Sequence, residues 1–247
     1  AFLLLSLSLL ISSCDETSYT PEWERQGSAG ESSNSPATQR APQPSPTVAG
    51  QPTTAPVKQV QDQELRFVSY NIKNYLTMSR FVDGERKDRQ KPGREIEALV
   101  EIIVSARPDV LGICEIGSRE DLAELQKKLA DRGLPLAHSE HAGGADTTRK
   151  LGLLSRYPII STDSQGADGS LTYRSVDADN LPKEFAMQRG ILDATVAAGS
   201  QKIRFLGVHL KSKREVPYGH QDLMRRHEAY LLRRHADRIL EMDPETL

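Results

Sequence analysis

Pro108-Asp109-Val110-Leu111-Gly112-Ile113-Cys114-Glu115 is a short apolar run closed by a carboxylate, and its reading decides the fold. Its length and the proline ahead of it predict a buried strand over 110–116. A carboxylate is costly to bury without a partner, so Glu115 at the end of this strand belongs on a solvated rim or on a metal ion. The alternative is a carboxylate at a helix start, favoured by the helix dipole. Three further segments also place a polar residue at or beside an apolar run: Leu65-Arg66-Phe67-Val68-Ser69-Tyr70-Asn71, Gln188-Arg189-Gly190-Ile191-Leu192 and Phe205-Leu206-Gly207-Val208-His209-Leu210-Lys211-Ser212. An amide, a carboxylate, a guanidinium and an imidazole on strand ends can converge on one rim of a sheet. That mixture suits a divalent cation and a phosphate ester.

Working outward from 110–116, the alternation over 65–70 predicts a strand, with Phe67 and Val68 on opposite faces of a doubly covered sheet. A long basic loop is expected next, carrying Arg80, Arg86, Lys87, Arg89, Lys91 and Arg94. Ile96, Leu99, Val100, Ile103 and Ala106 share one helical face, and Pro108 ends that helix. After Glu115, Gly117 and Ser118 turn into a second helix, with Ser118 as N-cap and Leu122, Leu125 and Leu129 as its inner stripe. Residues 151–155 and 159–160, split by Tyr157-Pro158, read as one strand with an edge or bulge. Strands over 191–196 and 203–209 meet at a Gly199-Ser200 turn. A last helix over 222–241 carries Ala229, Leu232, Ala236 and Ile239 on its apolar face. Strand, helix, strand, helix and then several short strands do not fit a fully parallel sheet. They fit an α/β sandwich of mixed sheets with helices outside, in one domain from residue 64 onward.

The chain has 247 residues, a net charge of −2 and two cysteines. That charge excludes general adhesion to polyanions, and two cysteines imply no disulfide framework. Residues 1–11 are almost all Leu, Ile, Phe, Ala and Ser, too short a run to span a bilayer but suited to an export signal. Ile11-Ser12-Ser13-Cys14 resembles a bacterial lipobox, in which the cysteine is lipidated; a plain secretory signal is the alternative. Residues 14–63 are rich in Ser, Thr, Pro and Gln without periodicity, the composition of a disordered tether. The expected organisation is a signal over 1–13 with a clipped start, the tether over 14–63 and the folded domain over 64–247. The expected location is the bacterial cell envelope, membrane-anchored, with secretion as the alternative.

In the order Asn71, Glu115, Arg189, His209, the four segments resemble the endonuclease/exonuclease/phosphatase superfamily of metal-dependent phosphoesterases. The resemblance implies a four-layer sandwich of mixed β-sheets flanked by helices, truncated here before its last strands. It also implies a hydrolase acting on ester bonds. Glu115 matches the family's Mg2+ ligand, with Mn2+ as a substitute ion, and Asn71 stands beside it as a second ligand. Asn71, His209 and Arg189 are the implied catalytic groups, and Arg189 and Lys211 the substrate contacts. Asn offers both a carbonyl and an N–H, an imidazole can donate to a phosphate oxygen, and a guanidinium matches phosphate in shape and charge. The substrate class is a phosphate ester: nucleic acid, a phosphorylated small molecule or a phospholipid headgroup. Partners are that substrate and the membrane, with no obligate protein partner. The family's two later catalytic segments, a Gly-Asp-Phe-Asn-type strand end and a terminal Asp-His pair, do not occur in these residues. The expectation is therefore a fragment that is inactive by itself. A non-catalytic surface lipoprotein using the same fold as a binding module is the alternative.

Other polar groups are read as bland. Asn74 is a decoy for Asn71. His138 and His141 lie in a Gly-rich loop without partner carboxylates, and His227 and His235 sit two helical turns apart. The basic loop over 80–94 either lines a substrate path or is solvated. The arginines of the last helix form a solvated face, from which Arg226 and Glu228 could brace the strand behind the site.

Overall fold

A computed structural model of the chain describes residues 64–244, so the expected signal, the tether and Cys14 lie outside the described residues. Four strands drawn from one stretch form the first sheet, in the order β1 (Phe67–Tyr75), β4 (Val110–Ile116), β6 (Lys150–Ser155) and β5 (His138–Ala142). β1 and β4 run parallel, joined by the crossover helix α1 (Gly93–Ala106), while β6 is antiparallel to both β4 and β5. The helix α2 (Arg119–Asp131) follows β4 directly. The second sheet has the order β11 (Gln201–Gly207), β10 (Leu192–Ala198) and β7 (Ile159–Thr162), all antiparallel. Two hairpins, β2–β3 (Met78–Val82, Glu85–Arg89) and β8–β9 (Thr172–Val176, Pro182–Ala186), stand apart from these sheets. The last helix is α3 (Gln221–Met242).

Three apolar clusters set the layers. Ile96, Leu99, Val100 and Ile103 of α1 and Leu122, Leu125 and Leu129 of α2 pack on Leu111, Ile113 and Ile116 of β4. The opposite face of the first sheet, with Val110, Leu151 and Leu153, meets Leu192, Ala194 and Val196 of β10. A third cluster joins Met224 and Leu231 of α3 to Ile191, Met187 and the β8–β9 pair Tyr173 and Phe185. Helices, sheet, sheet and helix make the four-layer α/β sandwich expected, because alternate residues of β4 and β6 feed clusters on both faces.

Local signals explain the helix boundaries. Ser118 accepts the Asp121 N–H while Asp121 accepts the Ser118 N–H, a reciprocal cap that starts α2. α1 ends on the left-handed Arg107, directly before Pro108.

Four expectations need correction. The basic loop is the β2–β3 hairpin, closed by Asp83 and Gly84 with φ of 52° and 83°, the two positive values of a type I′ turn. Residues 151–160 are two strands of different sheets, because Tyr157-Pro158 carries the chain from the first sheet to the second. His138 and His141 lie on the edge strand β5, where His141 Nε2 is 2.9 Å from the Gly117 carbonyl oxygen. The inner face of α3 is Met224, Glu228, Leu231, His235 and Ile239. Ala229, Leu232 and Ala236 are only partly buried, because Glu228 finds polar partners at Gln188 and Lys211, and His235 at Asp193 of β10, and these turn the helix toward them.

Candidate active site

The site begins where two neighbouring strands break register together. β1 pairs with β4 in register as far as Asn71 opposite Cys114, and the next pair is Tyr75 opposite Ile116. Three residues of β1 therefore face Glu115 alone, and β4 shifts register at the same place against β6. Lys73, Asn74 and Glu115 are all left-handed, with φ of 50°, 58° and 66°. That conformation costs a residue with a side chain roughly 1–2 kcal/mol, so three together must be held by their surroundings. A bulge re-aims a side chain. Here the result is that Glu115 accepts from Asn71 Nδ2 through Oε1 and from the Asn74 N–H through Oε2, each at 3.1 Å.

Asn71 thus braces the carboxylate, while its Oδ1 accepts the Lys73 N–H at 2.9 Å. That bond takes one of the two lone pairs of the amide oxygen and fixes the orientation of the side chain. Asn74, set aside as a decoy, belongs to the site twice over: its N–H holds Glu115, and its Oδ1 accepts from Arg149 Nε at 2.8 Å. Cys114, beside Glu115, is half-buried. Burial first, then the Glu115 charge, push its thiol up to about 11, so it is a protonated apolar neighbour.

From the second half of the chain come His209 and Arg189. His209 lies two residues beyond the end of β11, and its Nε2 is 3.9 Å from Glu115 Oε1, beyond hydrogen-bond reach. Its Nδ1 is buried without a partner, as is Nε of Arg189. Burial lowers the His209 pKa; the Arg189 charge lowers it further and Glu115 opposes, so the ring is neutral near pH 7. Arg189 Nη2 stands 3.5 Å from Asp146 Oδ2.

The backbone explains that last contact. The Ala145 and Asp146 N–H groups donate to the carbonyls of Met187 and Gln188, zipping two loops together. Gly190 has a φ of 69°, and a Cβ there would collide with the Gly143 and Gln165 carbonyl oxygens, so only glycine lets the loops close. Asp146 also accepts from Thr148 N, Thr148 Oγ1 and Arg149 N. Burial raises its pKa, but those donors and Arg189 outweigh it, and the carboxyl is lowered overall. Asp146 therefore fixes both Arg149 and Arg189. Neither Asp146 nor Arg149 stands out in the sequence. The available signal is Asp146-Thr147-Thr148-Arg149, an aspartate positioned to cap its own turn.

Glu228 of α3, fully buried, holds the segments bearing Arg189 and His209 from behind. It accepts the Gln188 N–H at 3.2 Å and the Lys211 N–H at 2.5 Å. Burial raises its carboxyl, while those two N–H groups, Arg189 and Lys211 act the other way. Lys211 itself is buried, its Nζ donating to the Arg214 carbonyl at 3.3 Å, so the expected substrate contact is engaged with backbone. Arg226 is exposed on α3.

A second group of ligand types lies elsewhere. Asp163, Asp193 and His235 bring ligand atoms within 4.8 Å of one another. Arg204 forks onto Asp193 with two bonds of 2.7 Å. Arg238 donates to Asp163 and to His235 Nδ1, which leaves the hydrogen of that ring on Nε2, facing Asp193 at 2.5 Å. Two guanidiniums already supply the positive charge, so this cluster fits an ion-pair network fastening α3 to β10 and not a cation site.

No protein-family model and no curated protein matches the chain. Solved structures do. TDP2 from Caenorhabditis elegans is similar at 19% identity over 68% of this chain and 43% of its own, with a TM-score of 0.41. Sphingomyelinase C from Streptomyces griseocarneus is similar at 17% identity over 73% and 59%, with a TM-score of 0.45. An endonuclease/exonuclease/phosphatase family protein from Leptotrichia buccalis is similar at 12% identity over 63% and 57%, with a TM-score of 0.39. The likeness is one of fold. The superfamily expected from the sequence is represented among these structures, and the chain spans about half the length of those it matches.

Proposed function

We propose that this chain carries the site of a divalent-metal-dependent phosphoester hydrolase, with Mg2+ as the resident ion and Mn2+ as its substitute. The observation that carries the reading is the His209 imidazole, its Nδ1 buried without a partner, standing 3.9 Å from Glu115 among the charges of Arg189, Arg149 and Asp146. The donor set fits a hard cation: Glu115 is a carboxylate held by two N–H groups and still partly exposed. Bound there, the ion would polarise a phosphate oxygen as a Lewis acid. The protein's own groups do the rest. Arg189, with a buried unpartnered Nε, and Arg149, held by Asn74 and Asp146, present fixed positive charge to an anion. His209 donates an N–H to a phosphate oxygen or to the leaving oxygen. A cavity of about 310 Å³, lined by Thr77, Ser118, Asp121, Thr147 and Thr148 among others, adjoins the Asp146–Arg149 turn and would receive a polar substrate group.

The test is Glu115→Gln in the full-length protein. Mg2+-dependent hydrolysis of a chromogenic phosphodiester should fall about 1,000-fold or more, since Lewis-acid stabilisation is worth several kcal/mol of barrier. Near-native turnover would remove Glu115 from the site. Tight phosphate binding with no turnover in the unmutated full-length protein would favour the binding-module alternative.

We also propose export and lipid anchoring, on the Ile11-Ser12-Ser13-Cys14 motif and the tether composition after it. Among the described residues no helix is long and apolar enough to cross a membrane. Acyl chains on Cys14 would supply the affinity, at ~0.8 kcal/mol per buried methylene. Cys14→Ser should move the protein from the membrane fraction to the soluble one or leave it unprocessed. Equal partitioning of both forms after export would favour the plain secretory signal.

A further inference from the structure

The left-handed pair Lys73–Asn74 puts the Asn74 N–H on Glu115, and within β1 a single side chain holds it, through the Asn71 Oδ1 that accepts the Lys73 N–H. Its two carbonyl oxygens are each taken by a cation from the hairpin region. Lys91 Nζ donates to the Lys73 carbonyl at 3.0 Å, and Arg80 Nη2 donates to the Asn74 carbonyl at 2.9 Å. Arg80 is anchored in turn, through Nη2 to the Leu76 carbonyl at 3.3 Å and through Nε to the Arg89 carbonyl at 3.2 Å. Lys91 is only 8% exposed and pairs with Glu95 in the first turn of α1 at 3.0 Å. A guanidinium spent on three backbone carbonyls, and a buried ammonium shared between a carboxylate and a backbone carbonyl, are unusual uses of charge, because each gives up hydration in part for neutral acceptors.

We propose that Arg80 and Lys91 are positioning residues for the metal carboxylate: by gripping the Lys73 and Asn74 carbonyls they lock the bulge that aims Asn74 at Glu115 and Arg149. The inference rests on Glu115 being the metal ligand, and it gives the β2–β3 hairpin a task in the site through the Lys73–Asn74 backbone. Outer-shell partners of this kind orient a ligand before the ion arrives. Without the grip, the two left-handed residues would relax toward extended backbone and the Asn74 N–H would leave the carboxylate.

The experiment compares Arg80→Gln and Lys91→Met with Arg80→Lys, Lys91→Arg and the hairpin control Arg86→Gln in the full chain. Two readouts are taken: hydrogen exchange at the Asn74 amide without metal, and Mn2+ binding with inorganic phosphate by electron paramagnetic resonance. Arg80→Gln and Lys91→Met should speed Asn74 exchange and weaken Mn2+ about 10- to 100-fold, with exchange in β4 and β6 unchanged. Lys91→Arg should recover most of the affinity, and Arg86→Gln should leave both readouts alone. Native Asn74 exchange together with native Mn2+ affinity in both removing variants would overturn the proposal. If Lys91→Met does not fold, Arg80→Gln decides, since it spares the buried lysine. An unmutated chain that binds no Mn2+ would sink the metal reading alone, and the Asn74 amide would still decide whether the grip exists.

Discussion

At His209, burial and the Arg189 guanidinium act in the same direction and Glu115 against them, leaving the imidazole below its ordinary value of about 6.5. The sign of the linkage follows. The unfolded chain takes a proton at that imidazole more readily than the folded one, so the stability that His209 contributes is present above about 6.5 and drains away as pH falls through its folded value. Arg189→Gln should move the His209 midpoint upward, and inorganic phosphate should do the same by bringing negative charge to the ring, both read from the imidazole NMR signals. An unmoved midpoint in Arg189→Gln would separate the two residues. Asp146 has the opposite role: it pairs with both Arg149 and Arg189, so its charge organises cations and is not free to remove a proton from water.

Among the elements, α3 contributes most to the site from the greatest remove. Glu228→Ala leaves the Gln188 and Lys211 N–H groups buried without an acceptor, which should cost about 1–3 kcal/mol in urea unfolding. It should also loosen the segments bearing Arg189 and His209, so phosphate affinity should fall with stability. Unchanged stability would mean that water replaces the carboxylate. This brace was legible in the sequence only as a suggestion, because Glu228 in a run with Arg225, Arg226, Arg233 and Arg234 reads as one charge on a solvated face. The apolar stripe of α3 was misread for the same reason: Glu228 and His235 are buried against partners dozens of residues away, which no local period reveals. β4, α1 and α2 were legible because their apolar periodicity and caps are local. The β2–β3 hairpin was legible too, in Asp83-Gly84, but the density of Arg and Lys around it masked the signal. At the bulge, the polar ends Asn71 and Glu115 could be read; the left-handed turn that brings Asn74 beside them could not, since it depends on cations from another segment.

For the molecule as a whole, the two sheets leave β1 and β11 with one neighbour each, and these edges lie together, the Phe67 and Phe205 rings 5.0 Å apart. Phe67 is 47% exposed and Leu206 38%. Unpaired edges with apolar side chains invite association, so residues 63–247 alone should be poorly soluble, and Phe67→Lys with Leu206→Lys should improve monomer yield in size-exclusion chromatography. The same stretch should show no Mg2+-dependent phosphodiester turnover, because among its described residues His209 is the single imidazole at the site and Asp146 is spent on arginines. Robust turnover would mean that the proton acceptor has been misplaced. The crossing at Tyr157-Pro158 has a further consequence, one of timing. Everything the first sheet needs, both its helices included, has been synthesised by Ser155, whereas the second sheet starts only at Ile159. A chain emerging from its amino end can therefore close α1 and α2 over β1, β4, β5 and β6 early, as domains generally fold in the order in which they are made. Asn71, Asn74, Glu115 and Arg149 belong to that early half; Arg189 and His209 arrive with the later one. The nascent protein would hold a carboxylate without its imidazole until the second sheet docks, so that half of the framework would stand finished well before the site it carries was complete.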